Sequence, residues 1–297
     1  MSLRDFGVLV LVCLVWASNN IISKIVVAHW GVPPLFYAAV RFSLVALATL
    51  PWLLPAPKPT WRIVVVALLM GAGNFALLFM GFKTASPSAA SVVIQLGVPF
   101  TTLLSVLMLG ETVRWRRGLG MALTLAGAVT VMWSPHGLEL SPGLWLIVAA
   151  AFAGSLGAVM MKQVEGVKPL QFQAWVGFCS LWPLAVMSAA IEPGQAAAGI
   201  HAGWPFVAAV VFSALVVSVV AHTAYYGLIQ RYEANLIAPL TLLTPLFTIG
   251  LGVMVTHDHF DLRMGVGAGL ALTGVLIIAL RRNQVMPLLM SIRNRAQ

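Results

Sequence analysis

The sequence predicts an all-α integral membrane protein, in which ten transmembrane helices form an inverted repeat of two five-helix halves. Three observations support this fold class: charge is scarce, the apolar runs are long, and the second half of the chain echoes the first. Of the 297 residues, 60% are hydrophobic and only 8% are charged, whereas soluble domains carry about 25% charged residues. The surface of this protein therefore has to face lipid.

The apolar runs have the length and continuity of membrane-spanning helices. The hydrocarbon core is about 30 Å thick and a helix rises about 1.5 Å per residue, so one span needs about 20 residues. The runs do not alternate with a period of two, which favours helices over the strands of a barrel. Breaks rich in proline, glycine and charge place the predicted spans at 6–28, 34–54, 62–83, 88–109, 116–134, 142–162, 170–190, 204–230, 234–256 and 262–280.

Lysine and arginine are distributed unevenly between alternate loops, which predicts the orientation of the helices. Of the 17 such residues, Lys83 and Arg263 fall on one side, Lys24 and Arg41 lie in or near spans, and all the others collect on the opposite side. Both termini are therefore predicted to be cytoplasmic. The net charge of +9 is explained by these loops, so no nucleic-acid partner is predicted.

Two stretches of the first half recur in order in the second half. Residues 79–99 align with 225–245 at a shift of 146, and residues 118–129 align with 265–276 at a shift of 147. Because each half contains five spans, which is an odd number, the second half enters the membrane from the opposite side. Inverted repeats of this kind are typical of secondary transporters, whose substrate site lies near the bilayer midplane.

The predicted domains follow from this repeat. The first five-helix half covers 1–137, the second covers 138–281, and a basic cytoplasmic tail covers 282–297. The connections between the spans are short, which leaves no room for a soluble catalytic domain.

Polar and aromatic residues recur inside the spans at the i, i+3, i+4 and i+7 spacing of one helix face. A charge at the bilayer centre costs about 2.5–3.5 kcal/mol on insertion scales, so such residues face the bundle interior or a water-filled cavity. Aromatic walls with scattered hydrogen-bonding groups suit a small amphiphile such as an aromatic amino acid. The predicted substrate-binding residues are Trp16, Asn20, Lys24, Tyr37, Arg41, Asn74, Ser91, Gln95, Trp175, His222, Tyr225, Thr241 and Thr244.

Each of these residue types also has a structural interpretation. Serine and threonine in membrane helices often bond the carbonyl one turn earlier or a neighbouring helix. Lys24 and Arg41 are able to extend their charged ends to the membrane surface, and Trp175 can face lipid or core. Pro99 and Pro245 interrupt helix hydrogen bonding within their spans, either as gating hinges or as static kinks.

The fifth and tenth spans are predicted to be packing elements and not walls of the cavity. Gly265 and Gly269 form a GxxxG pattern, and Gly118, Gly120 and Gly127 keep the partner span slim. Small residues let helix backbones approach closely.

Three pieces of the sequence, taken in order, match the pattern of a known family. They are WASNNIISK from Trp16, the helix that contains Pro99 and closes on Leu109-Gly110-Glu111, and the glycine-rich fifth span. In this order the chain resembles the EamA-type branch of the drug/metabolite transporter superfamily over about residues 6–280. The resemblance implies ten helices in a 5+5 arrangement, export or exchange of small metabolites, and a location in the bacterial inner membrane.

The chain is most similar to the aromatic amino-acid exporters among the members of that family. It departs from the pattern at one place. The second repeat of the family often ends its fourth helix in an acidic residue, and His257-Asp258 occupies that place here.

The positions of the eight acidic residues favour facilitated transport down a gradient by alternating access. All eight fall at predicted span ends or in loops, whereas proton-coupled transporters usually relay protons through buried carboxylates or histidines. His222 is the one deep candidate, so proton antiport through His222 is the alternative. The sequence contains no Walker A motif for direct use of ATP.

Two other classes of function are alternatives to a transporter. An intramembrane enzyme acting on lipid would need paired acids, a metal cluster or a Ser/His arrangement, and no HExxH or GxSxG motif appears. The dense group HDHFD at 257–261 fits an exposed loop better than a divalent-metal site, and a channel or scaffold is the third class. The sequence predicts no catalytic residue, no cofactor and no bound metal. The expected partners are a small-molecule substrate and the lipid bilayer, for a monomeric protein.

Overall fold

The computed structural model describes residues 1–110, 113, 115–133, 141–164, 166–232, 237 and 240–279, with the backbone alone described at 226, 229 and 230. Within these ranges the chain is helical and contains no strand. Eight of the helices are long and apolar enough to cross a membrane, which confirms the all-helical membrane class. Glu111, the predicted tail and most of residues 233–239, where the ninth span begins, lie outside the described ranges.

The helices follow the predicted spans closely. Most bounds fall within about three residues of the predicted limits, because the breaks are set by proline, glycine and charge. The helices are α1 Leu3–His29, α2 Pro34–Trp52, α3 Thr60–Gly81, α4 Pro87–Leu109, α5 Trp115–Met132, α6 Pro142–Met161, α7 Pro169–Ile191, α8 with its parts Gln195–Val211, Phe212–Ala221 and His222–Arg231, α9 Leu243–Val255, and α10 Leu262–Ala279.

Two helices do not meet the length and hydropathy of a membrane span. The described part of α9 has 13 residues, and α5 opens on Arg116 and Arg117, which lower its hydropathy. The described part of α9 is apolar, and α5 is apolar after its two arginines.

Proline and glycine mark where several helices begin. Pro34, Pro87, Pro142 and Pro169 each occupy the first residue of a helix, where a missing N–H costs nothing. In α8, Gly203 adopts φ 66° and ψ −151°, which is outside the helical region. This break separates a short helix at 195–202 from the long segment that starts at Trp204, where the sequence places the eighth span.

Three helices contain π-helical stretches, in α1 (Ile25–His29), α3 (Leu69–Gly73) and α8 (Phe212–Ala221), and α4 contains a 3₁₀ turn at Ile94–Leu96. Such stretches shift the angular position of every residue that follows them, and π-bulges occur frequently at functional sites.

Helices α5 and α10 pack against each other through glycines, as predicted. A Cβ added at Gly120 would lie 2.7 Å from the Gly274 carbonyl oxygen, and one at Gly127 would meet the backbones of Gly267 and Ala271. The two backbones are therefore in direct contact along this seam, which we call the glycine seam.

The prediction of which glycines make this contact is partly wrong. A Cβ at Gly118 or Gly269 would meet nothing within 4 Å, and one at Gly265 would meet only the Phe260 ring at 3.6 Å. The GxxxG pair therefore lies off the seam, because the motif shows that a helix has a slim face but does not fix which face turns to its partner.

Corresponding helices of the two halves make corresponding pairs. Helix α1 packs on α9 as α6 packs on α4, α2 packs on α8 as α7 packs on α3, and α2 runs against α7. At Gly177 of α7 an added Cβ would lie 2.9 Å from the Ala46 backbone nitrogen of α2. These pairs enclose the polar residues that the sequence singles out.

Candidate functional site

An aromatic cluster joins α1 to α8. The Trp16 ring centroid lies 5.2 Å from that of His222 and 4.9 Å from that of Tyr225. The indole Nε1 of Trp16 is buried without a hydrogen-bond partner among the described residues, and His222 Nδ1 lies 2.7 Å from the Val217 carbonyl oxygen. The structure thus brings three of the predicted substrate-binding residues into mutual contact.

Asn20 links this cluster to α9. Its Nδ2 donates to Thr248 Oγ1 at 3.4 Å, and the Thr248 hydroxyl donates to the Thr244 carbonyl at 2.9 Å. The Thr244 hydroxyl is itself buried, and Thr241 lies just before it in the turn that opens α9. The predicted polar faces of α1 and α9 therefore meet.

A second polar network joins α1, α2 and α8. The Tyr37 hydroxyl lies 2.5 Å from Ser213 Oγ and 3.5 Å from Ser23 Oγ, and Ser213 donates to Asn19 Oδ1 at 2.6 Å. All four side chains are buried. Tyr37 is among the predicted substrate-binding residues, whereas Asn19 and Ser213, at the centre of this network, are not.

Of these two residues, the sequence alone marks Asn19 but not Ser213. Asn19 is as polar and as deep in its span as Asn20, and at that depth both amides need a hydrogen-bond partner or water, although only Asn20 is predicted to bind substrate. Ser213 lies in the π-helical stretch of α8, where counting in steps of three and four residues no longer reports which side chains share a face.

Arg41 is fully buried at the middle of α2. Its Nε and Nη2 donate to Ser218 Oγ at 3.3 and 2.9 Å, and its Cζ lies 4.3 Å from the Phe75 ring centroid. The rings of Phe42 and Phe79 are each 5.7 Å away. The interpretation that Arg41 extends its charged end to the membrane surface is therefore wrong.

Four other predicted residues have their polar atoms engaged by backbone. Lys24 Nζ donates to the carbonyls of Phe82 and Ala85 at the end of α3, 2.9 Å each. Asn74 donates to the Ala150 carbonyl of α6, Ser91 to the Ser88 carbonyl of its own helix, and Trp175 to the Leu53 carbonyl at the end of α2. In this structure Lys24, Asn74 and Trp175 therefore join neighbouring helices, whereas Ser91 bonds within its own helix.

Gln95 is the remaining predicted residue of α4. It lies in the 3₁₀ turn Ile94–Leu96 and is half-buried, and its amide bonds none of the described residues. Its role in binding stays a prediction.

The two predicted hinge prolines occupy equivalent places. Pro99 is the third residue of the segment Gly97–Leu109, directly after the 3₁₀ turn, and Pro245 is the third residue of Leu243–Val255. In the first turn of a helix the N–H of a residue has no helical partner to lose. Each proline therefore stabilises the start of a new helical segment inside its span, whether that break is rigid or mobile.

A large cavity opens at one end of the bundle, between the starts of α1 and α7 and the ends of α2 and α8. It has a volume of about 1320 Å³ and is lined in part by Asp5, Trp52, Lys168, Thr223 and Arg231. Typical ligand pockets have about 300–1,000 Å³, so this space is a vestibule. None of the predicted substrate-binding residues lines it. We call this end of the molecule the open face.

The opposite end is held by charged side chains that bind helix termini. Glu192, after α7, accepts hydrogen bonds from the backbone N–H groups of Leu35 and Phe36 at 3.0 and 2.9 Å. Asp258, after α9, accepts from the N–H and the hydroxyl of Ser88 at 2.9 and 2.5 Å. We call this end, which also contains Lys24, the closed face.

Carboxylates at these positions suit the chemistry of helix N-termini, where N–H groups lack partners and the dipole attracts negative charge. Asp258 lies three residues after the end of α9, while its counterpart in the first half, Glu111, is outside the described residues. Among the described residues no group of three or more histidine, cysteine or acidic side chains is placed to hold a metal ion.

The chain is similar in sequence to transport proteins of bacteria. It is 26% identical over 286 residues to a protein of Salmonella typhimurium named "Probable amino-acid metabolite efflux pump", covering 93% of this chain and 95% of the relative. It is 25% identical over 279 residues to the "Probable terminal-alkyne amino-acid exporter" of Streptantibioticus cattleyicolor, covering 91% of each chain.

The fold is shared with a solved protein. A crystal structure superposes with a TM-score of 0.64 over 93% of this chain and 96% of the other, at 19% sequence identity. The model of the EamA-like transporter family matches residues 6–133 and again residues 141–280. This family consists of membrane transporters, so the intramembrane-enzyme alternative is set aside, and the chain belongs to the EamA-like transporter family.

Proposed function

We propose that the protein exports amino acids, aromatic ones above all, by alternating access through a chamber between two oppositely inserted five-helix halves. The names of the Salmonella typhimurium and Streptantibioticus cattleyicolor relatives support an amino-acid substrate. The observation that carries the proposal is the cluster of Trp16, His222 and Tyr225 beside the Asn20–Thr248 hydrogen bond. Aromatic faces offer stacking area to a ring, while the amide and hydroxyl groups offer partners to its polar end.

The ten-span, two-half architecture has its own support. The family model matches the chain twice, over ranges close to the halves 1–137 and 138–281. The helix pairs also correspond between the halves, and α5 and α9 complete a set of five helices in each. Two five-helix units of one family, joined in one chain, have to be inserted in opposite directions.

The proposed orientation places the open face in the cytoplasm. Arg4, Lys168 and Arg231 line the vestibule there, and lysine and arginine concentrate on the cytoplasmic side of membrane proteins. The inner membrane is the proposed location, with the amino terminus on the same side. The structure then represents an inward-open state, in which a cytoplasmic substrate enters the vestibule while the closed face seals the exterior.

Facilitated uniport is the proposed energetic mode. The described carboxylates of Asp5, Glu192, Asp258 and Asp261 all lie at helix ends or in loops, so none offers a proton site at mid-membrane depth. The position of His222 within the aromatic cluster favours one alternative, proton exchange at its ring.

Reconstituted protein tests the function. Proteoliposomes preloaded with unlabelled phenylalanine should accumulate labelled phenylalanine by counterflow, and the accumulation should saturate. Other amino acids are screened as competitors. Failure of every amino acid to drive counterflow would overturn the proposed export. Accumulation driven by an imposed pH gradient, and lost in His222→Ala, would replace uniport by proton exchange.

A further inference from the structure

Arg41 carries its guanidinium deep inside the bundle. It lies seven residues after the start of α2 and eleven before its end, so about 10 Å and 16 Å of helix separate it from the two termini at about 1.5 Å per residue. Its exposed fraction is 0%. An ionised group at this depth is rare in membrane proteins and marks a functional site by default.

No described carboxylate balances this charge. Asp5 bonds Ser2 and Tyr232, and Asp261 bonds Met264 and Arg263. Glu192 and Asp258 bind the helix termini of the closed face. The guanidinium is therefore a buried cation without a counter-ion in the described part of the chain.

The described neighbouring side chains accept hydrogen bonds from only two of the three nitrogens of the Arg41 guanidinium. Arginine presents five N–H donors in a planar fork, and Ser218 Oγ accepts from Nε and Nη2. The third nitrogen, Nη1, is buried and has no partner among the described residues. The Phe75 ring face at 4.3 Å attracts the cation but accepts no fork of hydrogen bonds. One side of the guanidinium thus lacks the acceptor that buried polar groups normally have.

The Arg41 guanidinium, with its unpartnered nitrogen, lies near the aromatic cluster of Trp16, His222 and Tyr225. Ser218, which holds the guanidinium, precedes His222 by four residues, and His222 contacts Trp16. Both residues lie on α8 within five consecutive positions, Ser218 in the π-helical stretch and His222 directly after it. A positive group and an aromatic wall are therefore close neighbours along the same helix, which matches a molecule that carries an acidic group and a ring close together.

We infer that Arg41 recognises the carboxylate of the transported amino acid and thereby determines the selectivity for acids over neutral analogues. This inference rests on the proposed amino-acid export. Guanidinium and carboxylate are matched in shape, and their paired hydrogen bonds are charge-assisted. Nη1, which has no partner among the described residues, is the nitrogen left to pair with that carboxylate. The substrate supplies the missing counter-charge as it binds.

A purely structural role gives a different expectation. If the guanidinium only joins α2 to α3 and α8, its replacement lowers stability and affects every ligand equally. If it binds the carboxylate, its replacement removes the discrimination between an acid and its amide. The ratio of the two affinities separates these cases, since a stability loss does not change it.

The experiment measures competition in counterflow with two probes, L-phenylalanine and L-phenylalaninamide, which differ at the carboxyl group. For the unmodified protein we expect the acid to compete at least about 10-fold better than the amide, and this ratio should fall to about 1 in Arg41→Gln. Arg41→Lys keeps a charge but loses the fork, so its ratio should be intermediate, and it serves if Arg41→Gln does not fold. Arg62→Gln is the matched control, because Arg62 donates to the Gln163 carbonyl near the start of α3, away from the cluster.

Three outcomes are informative. A collapse of the ratio in Arg41→Gln, with Arg62→Gln unchanged, supports carboxylate recognition. An unchanged ratio in the folded Arg41 variants overturns it and leaves amino-acid export standing. If neither phenylalanine nor any other amino acid competes in the unmodified protein, the proposed export fails and the role of Arg41 fails with it.

Discussion

The closed and open faces of the molecule use the same helices in different ways. At the closed face, three charged side chains bind the backbone of helix ends: Lys24 on α3, Glu192 on α2 and Asp258 on α4. At the open face, α2 and α7 are joined by neutral donors, with Gln171 on the Pro55 carbonyl at 2.7 Å and Trp175 on the Leu53 carbonyl at 3.2 Å.

At the open face one charged side chain makes such a bond, namely Arg62, which donates to the Gln163 carbonyl after α6 at 3.2 Å. Asp5 accepts from the Tyr232 and Ser2 hydroxyls within the α1–α8 contact, while Lys168 and Arg231 line the vestibule. Hydrogen bonds to ionised groups are about twice as strong as neutral ones. The difference is therefore one of number: three charged side chains bind helix ends at the closed face, and Arg62 alone does so among the described residues of the open face.

The largest effect on the closed face is expected for the variant Asp258→Ala. It removes the acceptor of the Ser88 N–H and hydroxyl, and bonds to a charged group contribute about 1.5–3 kcal/mol each. We expect external labelling of a Ser91→Cys probe by a membrane-impermeant maleimide to rise about 10-fold or more. Asp261→Asn, in the same loop but bonded to Met264 and Arg263, should leave the labelling unchanged. Equal labelling in all variants would show that Asp258 does not hold the face closed.

Glu192→Ala should open the same face at α2. The amide protons of Leu35 and Phe36 lose their acceptor, so we expect their hydrogen exchange to accelerate about 10-fold, the equivalent of about 1.4 kcal/mol. Exchange at the start of α7 on the open face serves as the internal control. Unchanged protection of Leu35 and Phe36 would contradict the proposed clamp.

Lys24→Met distinguishes a helix clamp from a substrate ligand. It keeps the apolar stem but loses the bonds to Phe82 and Ala85, so we expect a melting temperature lower by about 2–4 °C with the KM for phenylalanine unchanged. A KM that rises while the melting temperature stays constant would assign Lys24 to substrate binding instead. Lys83→Met is the matched control, because Lys83 is exposed on the same face, and it should leave both the melting temperature and the KM unchanged.

The smallest effect is expected for Arg231→Gln in the vestibule. Arg231 is exposed, so its attraction for an anionic substrate is screened by salt. The initial counterflow rate should fall less than about 2-fold at low ionic strength, and the difference should vanish at about 1 M salt. A larger loss that persists in salt would indicate that Arg231 contacts the substrate directly.

Sequence reasoning located the helices and part of the polar interior, because apolar run length and residue spacing act within one helix. Trp16, Asn20 and Tyr225 emerged in this way. The roles of Lys24 and Trp175 could not be predicted, since each bonds a carbonyl of a helix end whose proximity no local pattern records. Ser213 could not be predicted for another reason, namely that the π-helical stretch around it changes the angle between successive side chains.

The glycine seam has a consequence for genetics. At Gly120 and Gly127 an added methyl group would strike the backbone of α10, and backbone atoms cannot be trimmed by substitution. At Gly127 the nearest atoms across the contact all belong to the backbone of Gly267 and Ala271, so a bulkier residue there has no compensating mutation on α10. In a suppressor screen, revertants of such alleles should restore glycine itself, and α10 should yield none.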